Sequence, residues 1–155
     1  MRRFTFREMD QEDAEAVAAW RYEPPYDFYD FAYDAEDLAE ILDPGRRAGD
    51  YHAVERDGEL VGYFSYRVHD DAIEVGLGLR PDLTGGGAGL EFVEAGLAFA
   101  RETFSARTFW LDVATWNERA KKVYERAGFE PGHVWTQAAR PPRAPVDFLR
   151  MSRPA

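Results

Sequence analysis

A chain of 155 residues with 45% apolar and 15% aromatic residues fits one folded domain, residues 1–155, rather than a disordered segment. A net charge of −10 argues against general binding to nucleic acid, which needs a basic face, and suits a protein that handles cationic small molecules. With no cysteine, disulfides, thiolate metal sites and cysteine nucleophiles are excluded together. No apolar run approaches the roughly 20 residues that span a bilayer. The opening MRRFTFREMD has no apolar core of the kind a signal peptide needs, so a cytoplasmic location is expected.

Phe4–Arg7 reads as a short strand. Asp10, with Asp13 three residues on, is placed to cap a helix that runs through Ala14, Val17 and Ala18 up to Trp20. Tyr22–Tyr33 follows with Pro24 and Pro25, which prevent a continuous helix. Asp34 opens a second short helix through Leu38, Ile41 and Leu42, and Pro44-Gly45 ends it. Tyr51–Arg56 and Glu59–Val68 flank Asp57-Gly58, a two-residue hairpin signal, and a second turn at His69–Asp71 leads into a third strand.

In that third strand Ile73, Val75, Leu77 and Leu79 alternate with Glu74, Gly76, Gly78 and Arg80, so one face is buried and the other is nearly free of side chains. Glycines inside a strand are found where a backbone or ligand approaches closely. Pro81 stops the ladder, Gly85, Gly86, Gly87 and Gly89 follow, and Leu90, Val93, Leu97, Ala100 and Phe104 then recur at helical spacing. Glycine-rich backbone running into a helix start presents unpaired N–H groups and a positive dipole end, which is an anion site. The competing reading is a tight turn that needs positive φ angles.

Phe109, Leu111 and Val113 mark the next strand. Asn117 is placed to cap a helix over Glu118–Ala127, with Gly128 to end it. His133–Gln137 and Val146–Met151 are the last two strands. The resulting order, β-α-α-β-β-β-α-β-α-β-β, implies three antiparallel strands, then a crossover giving one parallel pair. The expected class is α/β (α+β): a mixed, mostly antiparallel sheet of about six to seven strands with four helices.

The glycines do not fit a P-loop, since none is followed by lysine, nor a Rossmann fingerprint, since Leu90 stands where the third glycine belongs. No G-x-S-x-G elbow is present. His52, His69 and His133 are scattered at no ligand spacing, so no metal site is expected. The stretch from Leu77 to Gly89, LGLRPDLTGGGAG, resembles the acetyl-CoA signature of the GNAT superfamily of N-acetyltransferases. Asn117–Phe129, NERAKKVYERAGF, is similar to that family's Asn-x-x-Ala-x-x-x-Tyr-x-x-x-Gly-Phe element, and the two segments come in the family's order. The ribosomal-protein alanine and small-amine acetyltransferases are the branches it is most like.

The resemblance implies an acetyl-CoA-dependent transfer to a primary amine, on a small cationic amine or a peptide N-terminus, directly within a ternary complex. The coenzyme would be bound by Leu77, Gly78, Leu79, Thr84, Gly85, Gly86, Gly87, Ala88, Gly89 and Leu90, with Asn117 and Tyr124. Its pantetheine would lie along Leu77–Leu79, on the glycine face, where that strand parts from Phe109–Val113. Thr84 stands where the family has Arg or Gln, and Arg80, Lys121 or Lys122 is expected to replace the missing cation. Tyr124 matches the family's general acid toward sulfur, although the ring alone suffices to pack against the pantetheine. Glu74 and Asp112 are both candidates for the base, with Glu74 slightly favoured.

Tyr22–Asp43 carries Glu23, Asp27, Asp30, Asp34, Glu36, Asp37, Glu40 and Asp43 and no Lys or Arg, interleaved with six aromatics. Such a segment suits a cationic amine through charge and cation–π contact, with Tyr26, Tyr29 and Glu74 as acceptor residues. Alternatively it is a solvated acidic helix beside aromatics that complete the core. Two rival functions stand beside the enzyme: a non-catalytic acyl-CoA-binding module, and an interaction protein that docks a basic partner through Tyr22–Asp43. A monomer or homodimer, with no nucleic acid or membrane partner, is expected.

Overall fold

The computed structural model describes residues 3–155. Met1 and Arg2, the start of the stretch read as lacking a leader, lie outside the described residues. The elements run β1 (Thr5–Glu8), α1 (Gln11–Ala18), two 3-10 turns (Tyr26–Tyr29 and Phe31–Tyr33), α2 (Ala35–Leu42), α3 (Pro44–Arg47), β2 (Tyr51–Arg56), β3 (Glu59–His69) and β4 (Ala72–Leu79). A 3-10 turn at Pro81–Leu83 leads to α4 (Gly89–Thr103), β5 (Thr108–Ala114), α5 (Glu118–Arg126), β6 (Glu130–Gln137) and β7 (Val146–Pro154). The seven strands follow the order β1-β2-β3-β4-β5-β7-β6. β4 and β5 are parallel, while β1–β2, β2–β3, β5–β7 and β6–β7 are antiparallel; the parallel pair after the crossover and the mostly antiparallel sheet are as the sequence led one to expect.

The described helices number five, not four. Pro44 does end α2, but it also stands at the first position of α3, where its missing N–H costs nothing. Asp43 caps that turn, its Oδ1 accepting from Gly45 N at 2.9 Å and Arg46 N at 3.3 Å.

The chain forms two compact units: the residues up to Ser65 with Leu77–Gly86, and Tyr66–Gly76 with Gly87–Ala155. The core of the first is built from Met9, Ala14, Val17, Ala18, Ile41, Tyr51 and Ala53, with Trp20, Phe31, Leu38 and Tyr63 packed against it. α1 begins on a reciprocal capping box between Asp10 and Asp13. Burial pushes the Asp13 carboxyl up, but the Arg7 guanidinium and the Asp10 amide outweigh it and hold the group below the usual carboxylate range. Asp57 and Gly58 both have positive φ, 54° and 77°, as a type I′ hairpin turn requires.

In the second unit β5 pairs with β7 along its length, from Thr108↔Pro154 to Ala114↔Phe148. Its parallel ladder with β4 spans only Ala72–Glu74 against Thr108–Trp110. Phe92, Val93, Leu97 and Ala100 of α4 are buried, as are Ile73, Val75, Phe109, Leu111 and Val113 of the strands. Tyr66 lies 6.0 Å from Phe99 and 5.6 Å from Phe104, ring to ring, and donates to Gly96 O at 2.7 Å. The last two strands are longer than the residue pattern suggests. Pro131 and a register shift between Pro131 and Val134 break the alternation in β6, which ends the strand order and so tolerates a proline.

Candidate functional site

The glycine turn divides by cause. Gly85 and Gly87 have φ of +76° and +86°, so the tight-turn requirement is real at both. Around Gly87 a Cβ would meet nothing within 4 Å, whereas at Gly89 it would lie 3.4 Å from Val123 Cγ2. Gly89 therefore serves the close packing of α4 on α5, and Gly87 borders open space. α4 starts at Ala88 with no side-chain cap, which leaves its first-turn amides and a dipole of about half a positive charge without an internal partner from a side chain. Amides, left-handed glycine and open space together fit a diphosphate.

Two of the three cations expected to stand in for the family's Arg or Gln have partners within the fold. The Arg80 guanidinium forks Asp82 at 2.6 and 3.1 Å and donates to Leu60 O at 3.1 Å. That pairing with Asp82 raises its pKa above the ordinary arginine value. Lys121 Nζ donates to Thr115 O at 2.7 Å and meets Glu118 at 2.7 Å. Lys122 is exposed and makes no polar contact among the described residues. Thr84 itself turns inward, its Oγ1 donating to Pro81 O at 2.8 Å to close the 3-10 turn.

Gly78 has a neighbour that its place in the sequence does not announce. A Cβ there would run into the Tyr63 ring, so the missing side chain at this point of β4 makes room for a cross-strand aromatic. Leu79, next along, accepts a hydrogen bond from Tyr22 Oη at 2.7 Å, and burial pushes the Tyr22 phenol up.

The two candidate bases have different surroundings. Asp112 takes a two-point fork from Arg150, Nε to Oδ1 and Nη2 to Oδ2, both at 3.0 Å. The same guanidinium lies over the Trp110 ring, 3.9 Å from its centroid. Both carboxylate oxygens of Asp112 are thus engaged, the arrangement of a structural ion pair. Glu74, half-exposed, has one oxygen 3.0 Å from His69 Nε2, and the His69 ring is 5.9 Å from that of Trp110. Glu74 and Trp110 are register partners across β4 and β5.

Asn117 is buried and its Oδ1 accepts from Ala120 N at 3.0 Å, so its amide oxygen caps α5. Tyr124, half-buried on α5, has its ring 6.1 Å from Phe129, edge to face. Val123, beside it, stands where a Cβ at Gly89, the first residue of α4, would come within 3.4 Å.

Tyr26 and Tyr29 form one 3-10 turn of the first unit. Tyr29 and Tyr33 are exposed and grouped about Phe28, whereas Phe31 packs 5.6 Å from Tyr63. Several acids of this segment hold it together. Asp30 accepts from Tyr22 N at 2.9 Å, Asp34 from Glu36 N and Asp37 N at 3.0 and 3.2 Å, and Glu40 from Tyr51 Oη at 3.3 Å. The segment is partly the structural element that the alternative reading described.

Arg150 and Trp110 have no signal in the sequence pattern, Tyr22 reads only as one aromatic of the acidic segment, and His69 only as a scattered histidine. Arg150 and Asp112 are 38 residues apart, and nothing local links them. His69 and Glu74 had a usable signal: five residues apart across a turn, at hairpin spacing that brings side chains of one face together.

This sheet, with an open glycine turn running into an uncapped helix, has the architecture of solved acetyltransferases. The spermidine N-acetyltransferase of Vibrio cholerae, solved with CoA and spermine, superposes with a TM-score of 0.78 at 19% identity, over 98% of this chain and 95% of that one. The aminoglycoside N(6')acetyltransferase of Legionella pneumophila gives 0.76 at 21% identity, over 98% and 92%. Residues 3–130 match the acetyltransferase (GNAT) domain, and the chain belongs to this GNAT acetyltransferase family, an acyltransferase class of enzyme. The mycothiol acetyltransferase of Streptomyces coelicolor is 40% identical over 83 residues, 51% of this chain and 26% of that protein. The aligned region is thus about a quarter of the relative's length. Among the described residues no helix is long and apolar enough to cross a membrane.

Proposed function

We propose that this chain is an acetyl-CoA-dependent N-acetyltransferase, residues 1–155 serving as one catalytic domain, that passes an acetyl group directly to a primary amine in a ternary complex. The observation that carries the reading is the α4 start: uncapped amides beside a left-handed Gly87 bordered by open space, in a chain of this family. The amides of Gly87, Ala88, Gly89 and Leu90 hold the coenzyme diphosphate, with Lys122 as the available nearby cation in sequence. The roles assigned to Leu77–Leu79, Thr84–Gly86, Tyr26 and Tyr29 rest on the family resemblance.

The bound thioester supplies an acyl carbon that the neutral amine attacks, the C–N bond forming as the C–S bond breaks. The residues of the chain manage the two protons. Tyr124 delivers one to sulfur; a phenol of pKa near 10 does so for a thiol near 8.5 only when held in place, a general-acid contribution of about 10²–10⁴ in rate. Glu74 serves removal of the proton from nitrogen, since Asp112 is tied to Arg150. The acceptor is a small cationic amine or a peptide N-terminus, in keeping with the net charge of −10 and with the spermine bound by the Vibrio cholerae enzyme.

A panel of polyamines, amino sugars, amino acids and short peptides, assayed by thiol release with acetyl-CoA titrated calorimetrically in parallel, tests this. Turnover on at least one amine is expected. Tight coenzyme binding without release on any of them would leave a non-catalytic binding module instead, and no binding would leave neither.

A further inference from the structure

Resting on the reading just given, we infer that Tyr22 is a positioning residue for the acceptor, tying the acidic aromatic segment to the strand assigned to the thiol arm of the coenzyme. Its phenol donates to Leu79 O, at the end of β4, at 2.7 Å. Its backbone N–H donates to Asp30 Oδ1 at 2.9 Å. Asp30 stands between the two 3-10 turns of the segment, directly after Tyr29. One residue is thus bonded on one side to a group assigned to the coenzyme, and on the other to the turn assigned to the amine.

The backbone decides which edge of β4 the phenol meets. Arg80 N donates to Val61 O of β3 at 2.8 Å, so the peptide joining Leu79 to Arg80 turns its N–H toward β3. A trans peptide carries its C=O on the opposite side, so Leu79 O faces away from β3. Strand alternation puts the backbone polar groups of Leu77 on that same edge. The ladder of β4 with β5 ends at Glu74, so beyond it the groups of this edge take other partners. Tyr22 is the partner at Leu79, and the pantetheine, on the reading above, lies along the rest.

A second tie flanks the first. Phe31, next to Asp30, packs 5.6 Å from Tyr63, ring to ring, and the Tyr63 ring takes the space that a side chain at Gly78 would need. The two ties fasten the segment at consecutive residues of β4, Gly78 and Leu79. Burial, and after it the charge of Asp30, push the Tyr22 phenol up, so the group keeps its proton and stays a donor. It therefore exchanges no proton with the amine. Its effect on the acceptor comes through where it holds Tyr29 and the residues around it.

The test uses the whole chain, acetyl-CoA and the best amine of the panel. Tyr22→Phe keeps the ring and removes only the donor. KM for the amine should rise about tenfold, the worth of one hydrogen bond, with kcat and the coenzyme dissociation constant within about threefold of the parent. Asp30→Ala cuts the other bond of Tyr22 and should raise KM in the same way. Tyr66→Phe is the matched control, because Tyr66 also donates a buried phenol to a backbone carbonyl, Gly96 O. It should lose stability in denaturant while KM and the coenzyme constant stay as in the parent. A KM for Tyr22→Phe within about threefold of the parent, a rise that Tyr66→Phe matches, or a coenzyme constant that rises in step with KM would overturn the inference while the acetyltransferase reading stands. A parent with no turnover on any amine removes that reading, and this one with it.

Discussion

α4 and α5 are neighbouring helices that begin in opposite ways. α5 starts on Asn117, buried, with its Oδ1 on the third amide of the helix. α4 starts on Ala88, which has no side-chain oxygen to offer, after a glycine whose surroundings are empty. A capping Ser, Thr, Asp or Asn contributes about 1 kcal/mol to a helix, so its absence at the longer of the two leaves stability unclaimed. The same contrast separates the two carboxylates of the sheet. Asp112 is locked in a fork with Arg150, while Glu74 holds a single histidine. Groups the fold consumes and groups it leaves available lie a few residues apart, and only the second kind can meet a ligand.

The largest effect that would break this contrast is at the open helix start. Gly87→Val forces a β-branched residue to φ +86° and puts its methyls into the space beside the amides. Acetyl-CoA affinity should drop more than tenfold by calorimetry; an unchanged constant would mean that the space is not the cradle. Tyr124→Phe should lower kcat by about 10² while the coenzyme constant moves less than threefold. Equal rates would remove the phenol from the chemistry. Asn117→Ala is the matched experiment at the closed start. It should cost about 1 kcal/mol of stability by denaturant unfolding. A larger loss of coenzyme affinity than of stability would show that Asn117 belongs with the ligand groups after all.

What was legible in the sequence follows the range of the signals. Caps, turns and periodicity act over a few residues, so Asp10, Asp34 and Asn117, the Asp57-Gly58 turn and the β4–turn–α4 run were read in place. Pairings across the sheet were not. Nothing near Gly78 announces the Tyr63 ring that fills its place, and nothing near Asp112 announces Arg150. α3 was missed because proline both stops and starts helices, and only the Asp43 oxygen on the next turn's amides decides which. The bases were left as a pair for the same reason: spacing places both carboxylates on a strand, but the partners that separate them come from β7 and from the end of β3.

The smallest of the expected effects tests the closed side of the contrast by pH. His52 is buried on β2, and that burial, outweighing the raising influence of Asp50 and Glu8, lowers its pKa below the ordinary 6.5. A histidine held neutral in the fold contributes no penalty above its unfolded pKa. As pH falls through about 6.5 the unfolded chain binds the proton and the folded one does not, so stability declines until the folded pKa is reached. The melting temperature should therefore drop by a few degrees between pH 7.5 and pH 5.5, and His52→Gln should flatten that slope. Asp13 does not confuse the result, because its lowered pKa places its own loss at more acid pH, below the ordinary carboxylate value. If the slope is the same in both proteins, the proton is taken up elsewhere.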